Sequence, residues 1–372
     1  MGLRKLFDNM KPSFEKGGKF SALGSFFEAV ESFVFVPKTV TKCGTHVKDS
    51  IDLKRTMTCV MIAVIPAILF GMYNIGYQTS LHGNLGWGFW QMVWFGFLKI
   101  LPMYLVSYIV GLFFEVLFAQ IRGEEVNEGY FVTGLLIPLI MPVNTPLWML
   151  ALAVAFAVVI GKEVFGGTGM NIWNPALLAR AFMFFAYPKQ MSGDSVWVAA
   201  PFGATSVDAY SGATPLSQMA VGNINYSVAD MFFGFIPGSI GETSTLAILI
   251  GAVILIWTGV GSWKIMLSCV AGGLLVGLLG DVPCWYQLII GGFAFGCVFM
   301  ATDPVTSCQT ESGKWIYGFL IGAFAVCLRL FNPGYPEGMM LSILLMNTFA
   351  PLIDHIVVNR NIKKRLKRAQ KV

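Results

Sequence analysis

Charged residues are scarce in this chain. Only 12% of its 372 residues are Asp, Glu, Lys or Arg, and 56% are hydrophobic, whereas soluble domains carry about 25% charged residues. So few charges cannot cover a water-facing surface, which excludes a soluble globular protein. The chain is predicted to be an all-α polytopic membrane protein, because the polar groups of the backbone must form their hydrogen bonds within the chain inside a bilayer.

Metal and nucleotide motifs are also lacking. The seven cysteines form no Cys-x-x-Cys pair and no zinc-type spacing with the three histidines, so neither zinc nor haem is expected. Residues 166–176 are rich in glycine but contain neither Gly-x-Gly-x-x-Gly nor a Walker sequence. We therefore expect no NADH site in this chain and no nucleic-acid partner. No apolar run precedes residue 57, which argues against a signal peptide.

Ten apolar segments follow a basic N-terminal arm, residues 1–55. A bilayer-spanning helix needs about 20 residues, and the third and fifth segments are too short and are interrupted or bounded by prolines. We predict that these two are half-helices buried by their neighbours. The segments occupy residues 57–76, 91–119, 130–142, 146–163, 175–187, 243–259, 263–280, 285–301, 315–331 and 338–358.

Ten crossings would place both termini on one side of the membrane. The arm holds ten of the 25 basic residues and the tail, residues 359–372, holds seven, so the positive-inside rule predicts that both are cytoplasmic. Residues 56–358 then form the transmembrane domain, whose longest polar interval, residues 188–242, faces outward. Three basic residues inside apolar runs do not fit this sorting: Lys99, Arg180 and Arg329.

A weak internal repeat suggests how the segments are arranged. Residues 141–145 after the third segment resemble residues 302–306 after the eighth, although a competing match pairs residues 164–168 with 298–302. Five segments separate the first pair, and an odd number would invert one half relative to the other. The predicted fold is therefore two inverted five-helix repeats with short broken helices, as in urea and ammonium transporters, with a site where broken segments meet.

Two acidic residues lie at or near membrane depth, where an unpaired charge is costly. Glu115 has no neighbouring base with which to pair, and is either a carboxyl at the inner interface or a functional group. Asp303 begins an Asp-Pro turn or serves as an ion ligand. In the inverted arrangement Asp303 would meet the third segment, where Gly134 and Pro138 free backbone carbonyls. Such oxygens suit Na⁺, and the candidates are those of Val132, Leu135 and Leu139.

The outward polar interval contains the sequence Asp-Ala-Tyr-Ser-Gly-Ala-Thr-Pro-Leu at residues 208–216. Pro215 is expected to hold Thr214 in an extended conformation. Residue chemistry alone leaves two readings open, an ordinary Ser/Thr/Gly turn or a threonine hydroxyl presented on a loop.

The pattern Asp-x-x-Ser-Gly-Ala-Thr resembles the flavin-attachment motif of the B subunits of sodium-translocating NADH:quinone oxidoreductases (Nqr). Residues 41–55 and 127–129 resemble the same subunits. The resemblance implies that a dedicated flavin transferase esterifies Thr214 to the phosphate of FMN. The preceding residues would belong to its recognition sequence, namely Asp208, Ser211, Gly212 and Ala213.

The resemblance implies further sites. Asn171 and Asn174 would contact a non-covalent riboflavin at a helix start with exposed N–H groups, although glycine-mediated helix packing explains that stretch as well. Asp303 would form the sodium site with the carbonyls named above, and Glu115 and Asp354 would take part in ion uptake. A quinone would bind beside a small residue and two aromatic residues, Gly111, Tyr130 and Phe131.

The implied protein is a multi-pass component of the bacterial inner membrane. It would pass electrons from FMN through riboflavin to quinone, coupled to Na⁺ translocation, in a complex with the A, C, D, E and F subunits. Two alternatives stay open: the D subunit of the related Rnf complex, and a flavin-free channel or carrier in which Thr214 lies in a simple turn. Leu112 and Tyr130 depart from the commoner family pattern, which leaves the quinone type, ubiquinone or menaquinone, open.

Overall fold

Every regular element in the described part of the chain is helical, which confirms the all-α prediction. The computed structural model describes residues 2–14, 24, 27, 30, 31, 34, 35, 41, 43–45, 53–123, 129–193, 196–201, 212–222, 224–280, 282–332 and 337–370. The main helices are α1 (Gly2–Phe14), α2 (Leu53–His82), α3 (Phe89–Arg122), α4 (Tyr130–Leu139), α5 (Leu147–Val159), α6 (Pro175–Ala186), α7 (Pro215–Val221), α8 (Val228–Phe233), α9 (Thr245–Trp257), α10 (Trp263–Gly277), α11 (Glu311–Phe331) and α12 (Gly338–Ala369).

Five helical stretches are long and apolar enough to cross a membrane, judged by length and composition over the described residues. They are Lys54–His82, Phe89–Arg122, Leu147–Phe165, Glu311–Phe331 and Gly338–Ala369. Four shorter apolar helices, α4, α6, α9 and α10, pack among them. A multi-pass membrane protein is therefore confirmed.

The broken segments are only partly those that the sequence predicts. α4 and α6 have ten and twelve residues, as expected for half-helices. The eighth segment, expected to be continuous, is interrupted: a turn of helix ends at Ile289, and a short helix resumes at Phe293 and continues as a π-helix, Gly296–Met300. Gly291 lies in this break with φ +67°, a left-handed conformation that favours glycine.

The last helix is longer than its apolar run. α12 continues past residue 358 to Ala369, so the basic tail extends a membrane helix instead of forming a separate segment. At 1.5 Å per residue its 32 residues measure about 48 Å, well beyond the hydrocarbon core of about 30 Å. Most of the basic residues of the tail therefore lie on the part of α12 that is longer than the hydrocarbon core requires.

Glycines bring α10 and α11 into backbone contact. The Cα of Gly272 faces the carbonyl of Phe319, and that of Gly322 faces the carbonyl of Cys269, with no room for a Cβ at either position. Lys264 at the start of α10 pairs with Glu311 at the start of α11, so the two helices run parallel. Close approach through small residues is how membrane helices gain packing energy in a solvent that supplies no hydrophobic drive.

Gly322→Ala tests this contact. Helix propensity alone would make the change stabilising by about 1 kcal/mol. The added methyl group overlaps the backbone of α10, so we expect the free energy of unfolding to fall by about 1–3 kcal/mol instead. Thermal unfolding of the purified protein in detergent measures the difference. Gly88→Ala is the matched control, since no atom lies within 4 Å of the Cβ position there; equal melting temperatures for the two variants would contradict the packing.

Candidate functional site

Thr214 lies immediately before α7 and caps it. Its backbone is extended, with φ −67° and ψ 153°, as Pro215 predicts. Its Oγ1 accepts the backbone N–H of Ser217 at 3.2 Å, which satisfies one of the free donors at the start of the helix. The residue is half-buried. Gly212 and Ala213 precede it within the described residues, whereas Asp208 and Ser211 lie outside them.

Two small cavities connect the surroundings of Thr214 to buried charges. The first, of about 30 Å³, is lined by Thr214, Glu242 and Glu337 among others. The second, of about 20 Å³, shares both glutamates and adds Arg180 and Arg329. Since one water needs about 10–15 Å³, each cavity accommodates one or two water molecules. The threonine is thus close to a charged cluster, which we call the outer cluster: Arg180, Glu242, Arg329 and Glu337.

Arg180 of α6 pairs with two acidic partners from distant parts of the chain. Its guanidinium donates to Glu242 at 2.6 Å and to Glu337 at 2.5 Å, and it is itself 4% exposed. Ser239 accepts a longer hydrogen bond of 3.4 Å. A cation at membrane depth needs such compensation. The glutamates are 62 and 157 residues away, so no local sequence pattern marks this group.

Arg329 and Lys99, the other two basic residues within apolar runs, also have contacts that account for them. Arg329 of α11 donates to the carbonyl of Gln287 at 2.7 Å and to that of Ile290 at 3.0 Å. These carbonyls border the break in the eighth segment, so the arginine satisfies backbone groups that a continuous helix would have paired. The ammonium of Lys99 lies 5.4 Å from the ring centroid of Phe95, within cation–π distance.

Asp303 lies in a larger cavity of about 70 Å³, which we call the inner cavity. Val132 of α4 lines it, and so do Asn171 and Asn174 from the segment before α6. Thr306 donates its hydroxyl to the carboxylate of Asp303 at 2.8 Å, and the backbone N–H of Val305 donates to the same carboxylate at 3.4 Å. The volume suffices for a few water molecules or a partly hydrated cation. The structure therefore gathers four of the predicted ion and flavin residues around one space.

The carbonyls of α4 are less free than the sequence indicates. Pro138 has no N–H, so the carbonyl of Gly134 loses its helical partner. Ser107 of α3 replaces that partner with its hydroxyl, at 2.9 Å. At the end of the helix, the carbonyl of Leu139 accepts the N–H of Gly241 at 2.7 Å. Neighbouring elements thus supply hydrogen-bond donors for the two carbonyls of α4 that lack helical partners, as an environment without water requires.

Only one of the three predicted carbonyl ligands belongs to a residue that lines the inner cavity. Val132 lines it, whereas Leu135 and Leu139 do not, and Leu136 does so in their place. The helical turn presents positions 132 and 136 on the same face, four residues apart. That spacing explains why these two residues face one cavity together.

Asn174 and Asn171 hold the chain that enters α6. The side-chain oxygen of Asn174 accepts the N–H groups of Ala176 and Leu177, at 3.0 and 3.4 Å. Asn171 donates from Nδ2 to the carbonyl of Trp173 at 3.0 Å. The expectation of exposed N–H groups at this helix start is therefore corrected, because the asparagine cap already uses two of them.

Glu115 is paired, and the expectation that it lacks a basic neighbour is wrong. Lys162, just beyond α5, donates to its Oε1, and both side chains are 4% exposed. A second pair lies nearby, in which Arg122 donates to Glu163 at 2.9 Å. Lys162 also lines the inner cavity. In the sequence Lys162 lies at the end of the fourth apolar segment, and the tertiary contact makes it the partner of a buried carboxylate 47 residues away.

Gly111, Tyr130 and Phe131 lie together, but the first two leave no slot between them. The ring of Tyr130 packs directly on Gly111, where a Cβ would overlap it. Tyr130 is fully buried and donates its hydroxyl to the carbonyl of Ser107 at 2.8 Å. Phe131 is half-buried, with its ring centroid 6.5 Å from that of Tyr108. The quinone assignment of these residues stays a prediction.

Asp354 of α12 anchors the loop before α11. It accepts the backbone N–H of Gln309 at 2.7 Å, and both the N–H and the hydroxyl of Thr310 at 3.0 and 2.5 Å. This carboxylate therefore holds two distant segments together. Its predicted part in ion uptake stays a prediction.

Comparison with known proteins places the chain in a family. A sequence model described as the NQR2, RnfD, RnfE family matches residues 40–363. The chain belongs to this family. A relative from Chromohalobacter salexigens, named as the B subunit of a Na(+)-translocating NADH-quinone reductase, is 48% identical over 99% of this chain and 97% of its own length. Relatives of the same name from Ectopseudomonas mendocina and Pseudomonas aeruginosa are 48% and 47% identical, over 99% of this chain and 100% of theirs.

Arg180→Met tests the outer cluster. The change leaves two carboxylates without their cation at a buried position, which we expect to lower the free energy of unfolding by about 3–5 kcal/mol. Denaturant unfolding of the purified protein in detergent measures it. Lys264→Met removes a comparable ion pair whose acidic partner, Glu311, is 65% exposed, and should cost far less. Similar losses in both variants would show that Arg180 is not held by its glutamates.

Proposed function

We propose that the chain is the B-type membrane component of a sodium-translocating NADH:quinone oxidoreductase. The observation that carries the proposal is the similarity, along the entire chain, to relatives with that name. The protein would work in a bacterial inner membrane with the A, C, D, E and F subunits. Its own contribution would be to carry electrons to quinone and to provide the path for Na⁺.

Thr214 would bear FMN through a phosphoester formed by a flavin transferase, with Asp208, Ser211, Gly212 and Ala213 as its recognition sequence. Bound FMN supplies one- and two-electron chemistry that no side chain of this protein offers. The position fits such a group, since Thr214 is only half-buried and its Oγ1 is held by the N–H of Ser217. A helix start also favours the negative charge of a phosphate.

Riboflavin and quinone would bind elsewhere in the protein. Asn171 and Asn174 would hold riboflavin, supported by their common position at the inner cavity. Quinone would bind against the aromatic group of Gly111, Tyr130 and Phe131, on the side of Phe131, because Tyr130 fills the space over Gly111.

Sodium would pass through the inner cavity as the transported substrate. Asp303 would supply a carboxylate there, and Val132 would supply a carbonyl, since it is the one of the three predicted carbonyl residues that lines the cavity. Leu135 and Leu139 would contribute only after a rearrangement of α4. Glu115 and Asp354 would serve ion uptake. A flavin changes charge by one unit per electron, which in a medium of low dielectric constant biases a nearby cation site between two states.

We further propose ten crossings in two inverted five-segment repeats, with the N-terminal arm (1–55) and the tail (359–372) in the cytoplasm. The inner cavity and the cavity beside Thr214 support this arrangement. Loops predicted to face inward line the first, and loops predicted to face outward line the second. The inner cavity includes Gly129, Lys162, Thr168, Gly261 and Asp303, and the cavity beside Thr214 includes Trp197, Glu242 and Glu337.

A D-type Rnf protein is the second candidate, because the matching family description includes RnfD. That assignment retains the flavin on Thr214 and changes the electron donor and the other subunits of the complex. A flavin-free carrier is a third candidate, and it predicts an unmodified Thr214.

Thr214→Asn separates the flavin proteins from the carrier. Asparagine caps a helix as well as threonine does but offers no hydroxyl, so the covalent flavin should vanish while the fold is retained. In-gel flavin fluorescence and the mass of the peptide containing residue 214 measure this in protein expressed with its transferase. Ser217→Ala is the control, since its hydroxyl lies 3.3 Å from that of Thr214 and should not be modified. An unmodified wild-type peptide would refute the flavin assignment.

Asp303→Asn tests the sodium site. Asparagine keeps an oxygen for the turn but removes the charge, so the Na⁺ concentration for half-maximal quinone reduction should rise on the order of tenfold. The measurement uses the assembled complex with varied Na⁺ at constant ionic strength. Asp230→Asn, at the exposed start of α8, is the matched control. An unchanged Na⁺ dependence in Asp303→Asn would remove this residue from the ion path.

A further inference from the structure

Lys162 stands between two acidic groups that the proposed function connects. Its ammonium pairs with Glu115 of α3, and the same residue lines the inner cavity together with Asp303. A lysine carries a compact charge on a flexible four-carbon chain, so its ammonium can move by several ångströms while its backbone stays fixed. The backbone of Lys162 is itself tied down, because its carbonyl accepts the N–H groups of Phe165 and Gly167.

The pair with Glu115 is isolated from solvent and incompletely satisfied. Both side chains are 4% exposed, and in the described part of the chain Oε2 of Glu115 has no hydrogen-bond partner. The ammonium also lies 5.9 Å from the ring centroid of Tyr130, which supplies a further electrostatic contact. Because the two charges pair with each other at a buried position, removal of either one deprives the other of this partner.

We propose that Glu115 controls the inner cavity through Lys162, by drawing the lysine ammonium away from the position that a sodium ion occupies near Asp303. Without this pull, the tethered ammonium would be an internal competitor for Na⁺. Two cations cannot share so small a cavity beside one carboxylate, because their repulsion at a few ångströms is large in a low-dielectric medium. The inference rests on the proposed function and gives Lys162 a role in it.

A suppression experiment tests the idea in the assembled complex. Glu115→Gln should raise the Na⁺ concentration for half-maximal quinone reduction on the order of tenfold, because Lys162 then turns toward Asp303. Glu115→Gln combined with Lys162→Gln should restore the wild-type value, because the competitor is gone. If Glu115 were itself a sodium ligand, the double variant would bind Na⁺ as weakly as the single one, and the proposal would fail.

A second readout does not depend on turnover. Ligands that bind the folded protein stabilise it in proportion to ln(1 + [Na⁺]/Kd), so the dependence of the melting temperature on Na⁺ at constant ionic strength gives the dissociation constant without turnover. Glu115→Asp shortens the carboxyl side chain and weakens its pull on Lys162, so it should raise this dissociation constant, which keeps the test decisive if Glu115→Gln does not assemble. An unchanged value in Glu115→Asp would overturn the proposal, and so would a rise that persists when Lys162→Gln is added. The double variant Lys264→Gln and Glu311→Gln, which removes an exposed ion pair, should leave the value unchanged.

The two proposals fail in different ways. If the wild-type complex shows neither Na⁺-dependent turnover nor a Na⁺-dependent thermal shift, the proposed function is wrong and Lys162 has no ion with which to compete. If the wild type shows both and the double variant fails to recover, the sodium function stands and only the competition by Lys162 is refuted.

Discussion

Hydrocarbon offers no hydrogen-bond partner, and this constraint explains how the described part of the chain treats its helix breaks. Where Pro138 removes a helical donor, Ser107 donates to the carbonyl left behind. Where the eighth segment breaks, Arg329 donates to the carbonyls at its edge. The start of α6 is closed by the side chain of Asn174. Broken helices are possible in a membrane because neighbouring elements satisfy the groups that each break releases.

Buried charges likewise need partners within the protein, and those described above form two groups with different surroundings. The outer cluster encloses Arg180 between two glutamates next to the cavity that Thr214 borders. In the second group, Lys162 and Glu115 form one pair beside the cavity of Asp303. Each group is internally compensated, so the protein holds charge at depth without exposing it to lipid. The flavin and ion sites that we propose would then lie in one bundle as separate polar compartments.

Much of this architecture can be predicted from local sequence. The low charge content identifies a membrane protein, and the lengths of the third and fifth segments identify α4 and α6 as short helices. Pro215 fixes the backbone of Thr214. The break at Gly291 cannot be predicted this way, because the apolar residues around it look like a continuous span and a single glycine does not reveal its φ angle. The partner of Glu115 escapes prediction because it is distant in the chain.

The membrane class, the family and the threonine proposed to carry the flavin can all be read from composition or from short runs of neighbouring residues. The folded chain was needed to show which charges neutralise one another, which α4 residues line the cavity of Asp303, and that Tyr130 fills the space over Gly111. The reason is that electrostatic and steric contacts act over a few ångströms in space, whatever the separation along the chain. Only the folded arrangement sets those distances.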